Sequence, residues 1–284
     1  MTRTRGRRMG TLGLVLGLGA VTTFAAVLAT LYLRQERLIF QGTKLPADHR
    51  FAFDGHAFDE VTIEVPGAKL NALHIRQPNP RGLVFFLHGN AGDLSTWTTG
   101  IDFYRRINFD LFIFDYRGYG KSTGQIESEG QLHADVRAAW DSVAARYAGK
   151  PVVIYGRSLG TGLATHLAKE VPAALLVLVT PYTSLAAAAK RLYPYAPEWL
   201  MKYPLRIDAI AAEIRMPVLL VHGTNDELLP IDFSRALYEQ FRSPKELLVI
   251  DGAAHGNIHT FDAYLDGLAA RLERLVGAVP AAAD

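Results

Sequence analysis

Three stretches of this 284-residue chain carry the side-chain types that acyl-transfer chemistry requires. Gly156-Arg157-Ser158-Leu159-Gly160 sets a serine at the apex of a G-x-S-x-G pattern. His222-Gly223-Thr224-Asn225-Asp226 ends in a carboxylate, and Asp251-Gly252-Ala253-Ala254-His255 ends in an imidazole. A serine hydroxyl is a weak nucleophile until a base takes its proton, and that base needs an acid to fix its tautomer. The chain order Ser158, Asp226, His255 supplies nucleophile, acid and base. Each residue also has a plainer reading. The serine could cap a glycine-rich turn and Asp226 could cap the segment after it, while Asp251 is a rival acid and His259 a rival base. The right types in the right order, each after an apolar run, favour the joint reading.

The developing oxyanion of such a reaction needs two N–H donors. The residue after the serine, Leu159, offers one by its backbone. His88-Gly89-Asn90-Ala91-Gly92 follows the apolar run Leu83–Leu87, and its glycines let a backbone approach a substrate, so Asn90 is the second candidate. His88 and His222 each precede a glycine at a strand end, where a histidine more often bonds the backbone. Arg117-Gly118-Tyr119-Gly120-Lys121-Ser122 lacks the G-x-x-x-x-G-K-[ST] spacing and is read as a turn, not a phosphate loop. No His/Asp/Glu set has metal-ligand spacing on one helix face, so neither metal nor cofactor is expected.

These groups must be held by a scaffold, and the apolar patterning says which. Glu60–Val65 alternates with period two, Pro66-Gly67 turns, and Lys69–Arg76 answers as the second strand of a hairpin. Six continuous apolar runs follow: Leu83–Leu87, Leu111–Phe114, Val152–Ile154, Leu175–Val179, Val218–Val221 and Leu247–Ile250. Strands apolar on both faces belong to a parallel sheet covered by helices. Gln131–Tyr147, Phe233–Phe241 and Thr260–Leu275 carry helical periodicity between and after them. The expected fold is α/β, one mostly parallel sheet of about eight strands with helices on both faces. A tight turn joins the Val152 run to the helix after Ser158. Side chains at positions 156 and 160 would collide there, and the serine itself is held strained.

Thr180 to Arg206 lies between the sixth and seventh strands and reads as a short helical cap, about 182–206. Tyr182 and Trp199 are its candidate substrate-binding residues, forming an apolar wall for an acyl chain with Lys190, Arg191, Lys202 and Arg206 toward lipid headgroups. The plainer reading is a helical excursion whose aromatics pack on the sheet.

Ahead of the domain, residues 11–33 contain no charge and are long enough to cross a bilayer core, which takes about 20 residues. Residues 1–10 carry four arginines and no acid, so the amino terminus is expected in the cytoplasm and the rest outside it. A cleaved signal and an exported soluble enzyme is the competing reading. Against it stand the length of the run and the poor small-x-small match at Val27-Leu28-Ala29. Residues 34–58 read as a juxtamembrane connection with Leu38-Ile39-Phe40 able to dock on the domain, 59–276 as the catalytic domain, and 277–284 as a tail. A net charge of +2 gives no reason to expect a nucleic-acid partner. The absence of cysteine removes disulfides and a thiolate nucleophile.

The HGNAG, RGYGKS, GRSLG, TPYTS and HGTND stretches together resemble those of α/β-hydrolases. The branch is that of bud-emergence-protein-like serine hydrolases, close to the depalmitoylases with an α/β-hydrolase domain. The resemblance runs from about Leu38 to Leu275 and implies Ser158, Asp226 and His255 as a triad. Many members are similar in carrying an N-terminal anchor before an arginine-containing Leu-Ile-Phe segment. This chain has no cysteine cluster for lipid anchoring, a role the spanning helix would take over. The expected activity is hydrolysis of carboxylic esters or thioesters through an acyl-enzyme. An acyltransferase and a catalytically silent membrane scaffold are the alternatives.

Overall fold

The computed structural model describes residues 3–277, with side chains from Leu16 to Leu275; the expected tail from 278 onward lies outside the described residues. Eight strands form one sheet: β1 (Ala57–Val65), β2 (Ala68–Arg76), β3 (Leu83–Leu87), β4 (Asp110–Phe114), β5 (Val152–Arg157), β6 (Leu175–Val179), β7 (Val218–Gly223) and β8 (Lys245–Ile250). Their spatial order is β1-β2-β4-β3-β5-β6-β7-β8. The hairpin β1–β2 and the pair β2–β4 are antiparallel, and every other pair is parallel. The expected architecture is the observed one.

Among the described residues ten α-helices accompany the sheet: α1 (Arg3–Leu33), α2 (Gln35–Ile39), α3 (Leu94–Trp97), α4 (Asp102–Ile107), α5 (Glu129–Val143), α6 (Leu159–Glu170), α7 (Leu185–Leu192), α8 (Ile207–Ile210), α9 (Asp232–Gln240) and α10 (Asp262–Gly277). The period-two alternation of each central strand sends side chains to both faces. Phe85, Phe112 and Ile154 face a core under α5 and α6 with Trp140 and Leu163. Val84, Phe86, Ile113 and Tyr155 face the other side with Tyr104 of α4 and Leu268 of α10. Burying each such side chain stabilises by roughly 1.5–3 kcal/mol, which is why β3, β4 and β6 are buried along their whole length. β8 closes one edge and carries Lys245 and Glu246 there, charges that discourage further strand pairing.

The layout sets every functional loop on one rim. In a parallel sheet the carboxyl ends of the strands share an edge, and ligands bind outside it. Ser158 follows β5, His88–Asn90 follow β3, Asp226 follows β7 and His255 follows β8. The cap between β6 and β7 consists of α7, a 3₁₀ turn at Glu198–Leu200 and α8.

α1 is long and apolar enough to cross a membrane, and no part of its Leu16–Leu33 stretch is buried in the protein. The α2 segment that follows it is bonded to the domain. Gln35 is buried, donates from Nε2 to the Leu200 carbonyl (2.6 Å) and accepts from the Lys202 N–H (2.8 Å). Glu36 accepts from Lys202 Nζ (3.1 Å) and Tyr203 O–H (2.9 Å). Phe40 meets the Tyr203 ring edge-on, centroids 5.0 Å apart. The docking expected of Leu38-Ile39-Phe40 is therefore present, and its polar part comes from the two residues just before Arg37.

Candidate active site

The turn around Ser158 is as tight as the glycines imply. Ser158 has φ 51° and ψ −119°, a backbone conformation that L-residues rarely adopt and that costs of order 1–3 kcal/mol. A Cβ on Gly160 would lie 2.0 Å from the Leu87 carbonyl oxygen, and one on Gly156 would lie 2.6 Å from that of Gly160. Only glycine at both positions lets β5 turn into α6 this sharply. The strain is offset by the Ser158 N–H bond to Val179 (2.9 Å) and by the Ser158 carbonyl, which accepts from the Thr161 N–H (2.9 Å) and hydroxyl (2.6 Å).

Ser158, Asp226 and His255, the sequence candidates, come together. His255 Nε2 lies 3.0 Å from Ser158 Oγ, and His255 Nδ1 lies 2.8 Å from Asp226 Oδ2. The carboxylate accepts only, so Nδ1–H donates to Asp226 and the free Nε2 lone pair faces the serine hydroxyl. The Asp226 side chain is fully buried, which works against its charge. Hydrogen bonding to His222, His255 and the Leu229 N–H outweighs that and holds the carboxyl well below the usual carboxylate range. The Leu229 N–H donates to Oδ1 at 2.8 Å. The capping role weighed for Asp226 is thus filled by one oxygen while the other faces the imidazole. The rivals sit elsewhere: Asp251 is exposed and accepts from the Thr224 hydroxyl (3.1 Å), and His259 is in an exposed 3₁₀ turn.

Asn90 and Leu159 both line the cavity above Ser158. Leu159 is the first residue of α6, where an N–H has no intrahelical acceptor. Gly89 O accepts from His88 Nδ1 at 2.8 Å. In a trans peptide that turns the Asn90 N–H the opposite way. The Asn90 carbonyl is held by the Gln41 N–H (2.8 Å) and the Tyr119 hydroxyl (2.7 Å). Burial pushes His88 down to about 4 and Asp115, with Oδ1 3.6 Å from His88 Nε2, up to about 8. Burial thus disfavours the charged form of each group. His222 also bonds the protein frame, with Nε2 2.6 Å from the Leu229 carbonyl and Nδ1 2.7 Å from Ser234 Oγ.

The cap departs from expectation at one candidate. Trp199 is 78% exposed and lies outside the cavity lining. In the 3₁₀ turn only Leu200 is buried, and Trp199 beside it faces out. Tyr182 does line the cavity, and its hydroxyl donates to the Leu159 carbonyl at 3.0 Å. Of the other cap aromatics, Tyr193 lines the cavity, Tyr195 is exposed and Tyr203 is buried against α2.

Two contributors have no motif to announce them. Arg157, the variable residue before the serine, donates from one Nη to the carbonyls of His255 and Gly256, both at 3.2 Å. Its guanidinium lies over the Trp97 ring at 5.2 Å. Arg157 thereby braces the loop that carries His255. The second is the wall formed by the end of α1 and by α2: Leu31, Gln35, Leu38, Ile39 and Gln41 line one side of the cavity. Their signal in the sequence was the Leu-Ile-Phe segment, which reads as a docking element and not as part of a site.

No group of three or more His, Cys, Asp or Glu side chains suited to a metal occurs among the described residues. The arrangement suits proton transfer from a hydroxyl, attack on an acyl carbon and stabilisation of the resulting oxyanion, all by protein groups.

Residues 78–209 and 198–262 match the Hydrolase_4 family, described as serine aminopeptidase, S33. The α/β-hydrolase domain-containing protein 17B of Xenopus tropicalis is 36% identical over 212 residues, 71% of this chain and 70% of that one. Its Homo sapiens counterpart is 36% identical over 218 residues, covering 73% and 72% of the two chains. Among solved structures, an esterase of Pyrococcus furiosus superposes with a TM-score of 0.69 over 84% of this chain and 98% of its own, at 20% identity. That likeness is one of fold.

Proposed function

We propose a reaction from one premise: the chain belongs to the α/β-hydrolase superfamily, on the branch of the α/β-hydrolase domain-containing proteins. It is a hydrolase of the serine-hydrolase type. Ser158 is its nucleophile, His255 its base and Asp226 the acid that orients the base. The substrate is a carboxylic ester or thioester. Ser158 Oγ attacks the acyl carbon as its proton passes to His255 Nε2, and the N–H groups of Asn90 and Leu159 receive the oxyanion. His255 then gives that proton to the departing alcohol or thiol. Water, deprotonated by the same Nε2, attacks the acyl-enzyme and releases the acid.

The observation that carries the reading is the 3.0 Å approach of His255 Nε2 to Ser158 Oγ, with Asp226 behind it at 2.8 Å. α1 anchors the enzyme by spanning the membrane, with the arginine-rich terminus in the cytoplasm and the catalytic domain on the other side. Support comes from its uncharged length and the charge asymmetry around it. Labelling by a fluorophosphonate, with and without Ser158→Ala, tests the nucleophile. Label on wild type and none on the variant is expected, and equal labelling would overturn the assignment. Protease accessibility in intact cells tests the topology, with cleavage of the domain from outside expected.

A further inference from the structure

The cavity above Ser158 continues away from the sheet. It encloses about 300 Å³ between α7 and the α1–α2 segment. A second, wider groove of about 890 Å³ lies between one face of α1 and the cap tip at 192–196. Leu31, Leu192, Tyr193 and Ala196 line both, so the two meet at that neck. On α1 the groove face runs through Leu16, Ala20, Thr23, Val27 and Leu31, a spacing of three and four residues that keeps one stripe of the helix toward the cap. Thr23, the one hydroxyl on that stripe, is spent on the Gly19 carbonyl at 2.8 Å. A Cβ on Gly19 would meet nothing within 4 Å, so the floor is open. The stripe therefore presents only apolar surface.

The surroundings indicate what medium the groove opens into. α1 is the segment with the length and composition of a membrane span, and the groove follows it from Leu31 back to Leu16. The cap tip beside it exposes Leu192, Tyr195 and, one turn on, Trp199. Tyrosine and tryptophan favour the membrane interface, where a ring can rest among headgroups. Gln35 and Glu36 hold the base of α1 to the cap through Leu200, Lys202 and Tyr203. The helix and the cap are thus fixed to each other at the neck.

From this we infer that the acyl chain of a membrane-resident ester or thioester reaches Ser158 laterally, sliding from the bilayer between α1 and the cap tip. The inference rests on Ser158 being the nucleophile. Its physical advantage is that the chain never crosses water, where each exposed methylene costs free energy. The substrate class follows: long acyl chains already dissolved in the leaflet, with the ester group near the headgroup level. Short soluble esters reach the serine without using the groove.

The test uses the full-length protein in phosphatidylcholine vesicles and one substitution made on two faces of α1. Ala20→Trp fills the groove, and Ala25→Trp places the same ring on the other side of the helix. We expect Ala20→Trp to slow hydrolysis of a bilayer-embedded long-chain acyl ester at least tenfold relative to Ala25→Trp. Hydrolysis of p-nitrophenyl butyrate and fluorophosphonate labelling should stay within twofold of wild type in both. Equal rates for the two variants on the embedded ester would overturn the route. A wild-type chain that neither labels nor cleaves either ester would overturn the nucleophile assignment and the route with it. A second measurement needs no variant. A long-chain alkyl fluorophosphonate bonds phosphorus to Ser158 Oγ as the P–F bond breaks and fluoride leaves with the serine proton. A diazirine at the far end of its chain then reports where the chain lies. Cross-links to Ala20–Val27 or Pro194–Tyr195 support the groove, and cross-links confined to α5 or α9 overturn it.

Discussion

The space above Ser158 has two walls of different construction. One is made by the rim of the sheet, where Asn90 and Leu159 follow central strands buried along their length and paired on both sides, and His255 follows the edge strand β8. The other is made by α7, α2 and the end of α1, short or half-exposed helices, with α2 joined to the cap by a few polar bonds. Distances on the first wall are fixed by the core, because moving Ser158 would drag Gly160 against the Leu87 carbonyl. The second wall has no such constraint. Chemistry therefore lives on the rigid wall, and selection among substrates falls to the adjustable one.

Substitutions can break this division or sharpen it. The largest effect is expected at the reacting pair: Ser158→Ala and His255→Ala should each lower kcat by about 10⁶-fold, and the double variant no further. Additive losses in a single-turnover assay would mean that the two do not act as one unit. Asp226→Asn should cost about 10⁴-fold in kcat with KM little changed, because the imidazole is then left in the wrong tautomer. A loss confined to KM would move Asp226 to the adjustable wall.

Next in size is a pH effect on stability beneath the oxyanion loop. Burial raises Asp115 from the ordinary carboxylate range to about 8. Between about pH 4 and 8 the folded chain keeps a proton that the unfolded chain releases, so stability falls as pH rises through that window. Asp115→Asn should flatten that part of the curve, measured by urea denaturation at pH 5 and 8. An unchanged slope would show that the carboxyl is charged in the fold.

Arg157→Ala should lower kcat by about tenfold, since it frees the His255 loop at its carbonyls without touching the reacting atoms. Arg157→Lys restores charge but not the fork, and partial rescue is the result that would identify bracing as the cause. Smallest is Tyr182→Phe, which removes the bond to the Leu159 carbonyl and should cost about 1 kcal/mol of stability. A kcat loss beyond twofold there would place the Tyr182 hydroxyl among the groups that shape the oxyanion site.

The two walls also differ in how far the sequence reveals them. The six apolar runs become strands within a few residues of their expected ends, because burial on both faces leaves a pattern nothing else makes. The Ser158 turn is equally legible, since only glycine fits at 156 and 160. The second wall leaves no comparable trace. Trp199 is expected inside and is outside, because a single short 3₁₀ turn buries one residue, here Leu200, and the composition does not say which. Gln35 and Glu36 sit in a polar stretch that reads as connection, and their partners Leu200, Lys202 and Tyr203 are far away in the chain. Arg157 is hidden differently, in a position whose motif specifies only its neighbours.

One feature of the connection bears on any shortened form of the enzyme. After α2 the chain lies beside the oxyanion loop as a two-residue parallel strand, Gln41 on Ala91 and Gly42 on Gly92. Excision ending at Leu33 discards α1 and spares this seam. Excision ending at Gly42 unzips it, leaves the Asn90 carbonyl with Tyr119 alone, and removes Leu38 and Ile39 from beside the serine. Two truncations nine residues apart would thus differ in turnover number, the shorter one being a damaged catalyst.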